Sequence, residues 1–174
     1  KVNLNSINKI IESGSYKNPH FSSDLSNALI KTSTQMHEIA KLFINHKTPY
    51  IPSIPPSTAV SKSYTGILID ARGLLPVHGE YTNEKLQPCI FPKIWDTDMV
   101  TIYEKNMVDP EIAKKNSLVL YSSSLNEELY RDRIGTEPLR IIARGLFGQN
   151  RTDPIISMED SGRILSRSEN LKLL

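Results

Sequence analysis

The sequence predicts an α+β domain: a mixed sheet of about five strands with short helices, preceded by a helical segment and a proline-rich linker. Three observations predict it. Apolar residues recur every three or four positions as far as His46. Four prolines then crowd residues 48–63. From Tyr64 onward apolar residues come in short, strand-sized runs separated by Gly, Pro and Asp. The expected organisation is a helical segment over 1–47, a linker over 48–63 and the α+β domain over 64–174.

In Val2–Ser13 the residues Leu4, Ile7, Ile10 and Ile11 fall on one helical face, and Gly14 stops the helix. A longer helix is expected from about Asp24 to His46, capped by Ser22 or Ser23. Its stripe comprises Leu25, Ala28, Leu29, Thr32, Met36, Ile39 and Phe43. Proline fixes its own φ and pushes the preceding residue toward extended backbone, so TPYIPSIPPSTAVSKS reads as a stiff linker.

Beyond the linker, Tyr64–Ala71 is apolar on both faces, the pattern of a central strand. Residues 72–87 read as a loop. Pro88–Trp95 and Met99–Glu104 read as paired strands joined at Asp96–Thr97–Asp98, with Pro92 placing the first near an edge or bulge. Asp109, Pro110 and Glu111 start a helix that runs to about Asn116. Leu118–Ser122 reads as a strand. Ser124 and Glu127 form a capping box for a helix ending at Gly135. Pro138–Phe147 reads as a strand with Leu139, Ile141 and Ala143 on one face, and Ser157 with Asp160 opens a last helix toward Ser166. A further strand is expected after it, in or beyond Leu171–Leu174.

The totals narrow the function. Hydrophobic residues make up 39% and charged residues 23% of 174, ordinary for a water-exposed domain. The first 48 residues hold six lysines against three acids, and the remainder 15 basic against 16 acidic residues. Neither part has the field of a nucleic-acid binder. No apolar run approaches a bilayer span. The single cysteine, Cys89, excludes an intramolecular disulfide and reads as a small buried hydrophobe. Lys1 in place of a starting Met reads as a mature or shortened product, with any signal peptide or lipid anchor lying outside this sequence.

Chemistry is sparse. His20, His37, His46 and His78 have no metal-ligand spacing, and the aspartates at 96, 98 and 109 read as turn and cap residues, so no metal or cofactor is expected. There is no nucleophile elbow and no phosphate-binding glycine loop. The best polar constellation is Asp70, Arg72, His78 and Glu80. It reads first as a structural ion pair followed by loop residues, since Asp70 and Arg72 lie two apart on one strand face. Its alternatives are a ligand site or an acid–base site. Arg140 and Arg144 share a face with Ile142, but interleaved acids make the surface mixed. Leu29, Met36 and Phe43 are the candidate partner surface on the N-terminal stripe.

Three stretches carry a family resemblance. YTGILIDARG, PKIWDTDMVTIYE and DRIGTEPLRIIARGLFGQNRTDPIISMEDSGRIL resemble the C-terminal region of spirochaete-type cell-envelope proteins related to the FlgP-type flagellar lipoproteins. The resemblance covers residues 64–174. It implies a non-enzymatic envelope scaffold, periplasmic or associated with the outer membrane, with envelope proteins or further copies of itself as partners. Peripheral membrane association would come through an anchor outside this sequence. The competing expectations are a periplasmic domain that binds a glycan or peptide near Asp70–Glu80, and a hydrolase using the same groups.

Overall fold

A computed structural model describes residues 3–52 and 61–171. Half of the proline-rich linker, residues 53–60, and the expected strand beyond Leu171 lie outside the described residues.

The first helix forms as its periodicity predicts. Helix α1 spans Leu4–Ser13, and the Asn3 side chain accepts from the Asn5 amide at 3.0 Å as its cap. None of its residues is buried, so Leu4, Ile7 and Ile11 face outward.

The long helix expected over Asp24–His46 does not form. In its place stand β1 (Ser15–Tyr16), β2 (His20–Phe21), β3 (Ala28–Leu29) and β4 (Thr32–Ser33), followed by a short helix α2 (Met36–Lys41). β1 pairs antiparallel with β4, and β2 with β3 inside it, giving a nested hairpin. Local hydrogen bonding explains the difference. The Asp24 carboxylate accepts from the Ser26 amide at 3.1 Å, and Ser22 Oγ accepts from the Asn27 amide at 3.0 Å. Short polar side chains here offer the backbone a turn in competition with a helix. Leu25 takes a positive φ of 56° at the tip. The bonds from Ser22, then from Ser26, lower the Asp24 pKa to about 2.

The second half begins with β5 (Ile67–Asp70), then a hairpin of two short strands, β6 (Leu75–Pro76) and β7 (Asn83–Glu84), within the expected loop. Strands β8 (Ile94–Asp96) and β9 (Thr101–Tyr103) pair antiparallel as expected. The Asp96 carboxylate closes their turn by accepting from the Asp98 and Val100 amides at 3.0 and 2.9 Å. Helix α3 (Pro110–Asn116) starts as predicted, with Asp109 accepting from the Glu111 and Ile112 amides. A 3-10 turn over Glu127–Tyr130 leads into α4 (Arg131–Ile134), which Gly135 ends; Asn126 rather than Ser124 caps the turn.

The expected strand Pro138–Phe147 divides into β10 (Leu139–Ile142) and β11 (Gly145–Phe147). Leu139, Ile141 and Ala143 are all buried on one face, as predicted. Strand β12 (Asp153–Ile156) is not legible in the sequence, because Pro154 argues against a central strand. Pro154 is tolerated because it pairs only with Leu146 of β11, while the ladder to β8 starts one residue later at Ile155–Trp95. Helix α5 (Met158–Leu165) is capped by Ser157, which accepts from the Asp160 amide at 3.1 Å, and α6 (Ser168–Leu171) follows.

The strands form a four-stranded sheet in the order β11–β12–β8–β9, separate from a parallel β5–β10 pair. Pro92 precedes β8, which is internal in that sheet rather than at its edge; a register shift falls at Ile94/Trp95. Ile102 of β9, Ile156 of β12 and Ile164 and Leu165 of α5 meet Leu139 and Ile141 of β10 in one core. Each such side chain stabilises by roughly 1.5–3 kcal/mol on burial.

Helix α2 packs on α3. Ile44 enters the main core, Phe43 meets Phe91 edge-on at 5.6 Å between ring centroids, and His46 Nε2 donates to the Val108 carbonyl at 2.7 Å. The Tyr50 amide donates to the Asn106 carbonyl at 2.8 Å. The end of the N-terminal segment is thus fastened to the α+β part. No helix among the described residues is long and apolar enough to cross a membrane.

Candidate functional site

Asp70 ends β5 and Arg72 follows two residues later on the same side, as the sequence predicts. The guanidinium chelates the carboxylate: Arg72 Nε donates to Asp70 Oδ1 at 2.7 Å, and Nη2 binds Oδ2. The Arg72 hydrogen bond holds the Asp70 carboxyl below the usual carboxylate range. Both carboxylate oxygens are occupied and the group stays ionised, so it is a poor proton shuttle. The pair is solvent-exposed and screened by water, so it adds little to stability.

His78 and Glu80 lie in a different cluster. Glu80 accepts from Arg151 Nη2 at 2.7 Å, and Glu84 accepts from Arg151 Nε at 3.2 Å. The His78 ring meets Phe147 edge-on at 5.9 Å. Among the described residues no hydrogen bond or ion pair joins Asp70 or Arg72 to His78 or Glu80, so the four do not make one site. Arg151 is the organiser of this cluster, paired with acids as a mixed-charge surface would have it. It takes a positive φ of 56° and also donates to the Gly148 carbonyl at 3.0 Å.

The three proposed stripe residues are also separated. Leu29 lies on β3, Met36 opens α2 and Phe43 follows it. All three are exposed, at 58%, 47% and 38%, but they do not share one helix face.

The feature that dominates this half of the molecule is a groove of about 1160 Å³ along β5. Ile67 through Asp70 form one wall, and the segment Leu118–Leu125 forms another. That segment departs from the strand its sequence predicts. Leu118–Ser122 is not a strand, because its neighbouring carbonyls are taken by side chains. Arg133 donates to the Asn116 and Ser117 carbonyls at 2.8 Å each, and the Tyr103 hydroxyl to that of Leu118 at 2.9 Å. Ser117 has a positive φ of 65°. Tyr121, also in the groove wall, accepts from the Cys89 amide at 3.3 Å, and burial pushes its phenol up to about 12. A second exposed pair, Glu127 with Arg140, borders the groove, and the Arg140 hydrogen bond keeps Glu127 below its ordinary pKa.

β5 was expected at the centre of a sheet. It pairs with β10 alone among the described residues. Its other edge opens into the groove. Among the described residues no three His, Cys, Asp or Glu side chains gather where they could hold a metal ion.

The family model for the second domain of Treponema pallidum Tp0624 matches residues 66–174, more than half of the chain. The match takes in β5, the groove walls and both sheets, and leaves out α1 and α2. No curated protein matches the chain.

Proposed function

The chain belongs to the family of the Treponema pallidum Tp0624 second domain, a domain of a bacterial protein, and on that premise we propose that it is a non-enzymatic assembly part of the cell envelope, periplasmic or associated with the outer membrane. The observation that carries this reading is the open edge of β5 within an apolar groove. Strand edges recruit other chains, because they present a row of unpaired amides and carbonyls. The exposed face of α1, with Leu4, Ile7 and Ile11, offers a second surface to an envelope partner or another copy. The relation to FlgP-type flagellar lipoproteins belongs to the same proposal, and extends it to a ring or collar around the flagellar motor. A hydrolase is disfavoured because Asp70 is chelated by Arg72 and His78 sits with Phe147 instead.

In-cell chemical crosslinking of the tagged full-length protein, followed by mass spectrometry, tests the proposal. Crosslinks to flagellar-motor or other envelope-complex components are expected. Recovery with soluble cytoplasmic proteins alone would overturn it.

A further inference from the structure

We propose that the open edge of β5 accepts one extended segment of a partner polypeptide as an added strand, apolar at alternate positions and acidic at its ends. This deepens the assembly role and rests on it.

The backbone geometry sets the contacts. The Leu139 amide donates to the Gly66 carbonyl at 2.8 Å, and the Ala143 amide to the Asp70 carbonyl at 2.9 Å. Main-chain groups alternate sides along a strand, so Gly66, Leu68 and Asp70 point to β10. The amides and carbonyls of Ile67 and Ile69 therefore point away from β10, toward the groove. Ile67 through Asp70 all line that groove, which also reaches Arg140, Ile141 and Ile142 of β10.

Apart from the charge of Asp70 at its end, the edge carries little of the usual protection. Ile67–Asp70 contains no lysine, proline or bulge, and its residues are only partly buried. Its composition, apolar on both faces, is that of a strand covered above and below. The groove volume of about 1160 Å³ exceeds the roughly 300–1,000 Å³ of small-molecule sites, which suits an extended peptide better than a compact ligand.

Charge decides the occupant. Lys85, Arg72, Arg133 and Arg140 border the groove against two carboxylates, Asp70 and Glu127. Those two are taken by Arg72 and Arg140, and neither Lys85 nor Arg133 forms an ion pair among the described residues. A second β5 edge would bring the same positive excess onto itself, whereas a partner strand with acidic ends would be complementary.

The test uses the full chain and a labelled, capped peptide, Glu-Val-Thr-Val-Thr-Val-Glu, read by fluorescence anisotropy. Saturable binding is expected. Ile69→Pro removes an outward amide and should weaken binding at least about tenfold, which corresponds to ~1.4 kcal/mol. Because proline could disturb β5 itself, Lys85→Glu, at an exposed side chain bordering the groove, provides an independent reading, with several-fold weaker binding expected. Equal binding of a control peptide with proline at two alternate positions would overturn the proposal. So would unchanged binding by both variants. A dimer in sedimentation that Ile69→Pro abolishes would also overturn it, assigning the edge to a second copy. Failure here alongside envelope crosslinks in cells would leave the assembly role to another surface. Absent crosslinks would remove that role whatever the peptide does.

Discussion

Gly66→Ala is expected to destabilise the domain by about 3 kcal/mol. Gly66 is buried, and a Cβ there would lie 2.5 Å from both Cα and O of Ile134. Those are backbone atoms, so no rotamer change relieves the overlap. The crossing is doubly locked. Thr65 Oγ1 donates to the Ile134 carbonyl at 2.8 Å and accepts from the Glu137 amide at 2.9 Å. Gly135 has φ +69°, and a Cβ there would meet Thr65 Cβ at 2.4 Å. Forcing α4 away from β5 would also strain the Leu139–Gly66 bond that starts the β5–β10 ladder. Thermal denaturation should show the midpoint falling by about 6–12 °C for a chain of this size. An unchanged midpoint would mean that the close crossing of Gly66 and Ile134 is absent.

Asn170→Leu should cost a similar amount, about 3 kcal/mol, for a different reason. Asn170 is 1% exposed and makes three hydrogen bonds to the main chain. Its carbonyl accepts from the Tyr64 amide at 2.9 Å, and its amide donates to the Lys62 and Arg163 carbonyls at 3.0 Å each. One side chain thus ties α6 to the end of α5 and to the approach to β5. Leucine fills much of the volume but leaves buried backbone groups without partners, which is the expensive outcome. Asn170→Asp should be comparably damaging, because it removes both donated bonds and buries a charge. Urea titration with a reduced midpoint is the expected observation; near-neutral behaviour of both variants would contradict the buried network.

These two positions also show where sequence reading stops. Gly66 and Asn170 are ordinary letters in a strand approach and a polar tail, and their importance comes from what other segments place against them. Local signals were legible. The α3 cap at Asp109–Pro110, the Ser157 cap, the Asp96 turn and the Leu139–Ile141–Ala143 face all follow from near neighbours in sequence, and all form. The long helix failed because a 3.6-residue periodicity was outweighed by Ser22, Asp24 and Ser26 bonding their own backbone. β12 was hidden by a proline whose missing amide faces no ladder partner. At the candidate site, the Asp70–Arg72 pair was readable from its spacing, whereas Glu80 finds Arg151, 71 residues away. The groove was the least readable feature. The apolar run around β5 did signal a strand within a sheet, and only the topology reveals that, among the described residues, one edge has no strand partner.

Whether that side is open can be measured by residue-resolved amide hydrogen exchange on the isolated protein. The Leu68 and Asp70 amides, on the β10 side, should be protected, while those of Ile67 and Ile69 should exchange much faster. That alternation along β5 would establish a free edge ready to take a partner strand. Equal protection of all four amides would show the edge already paired, and would contradict the assembly role assigned to it.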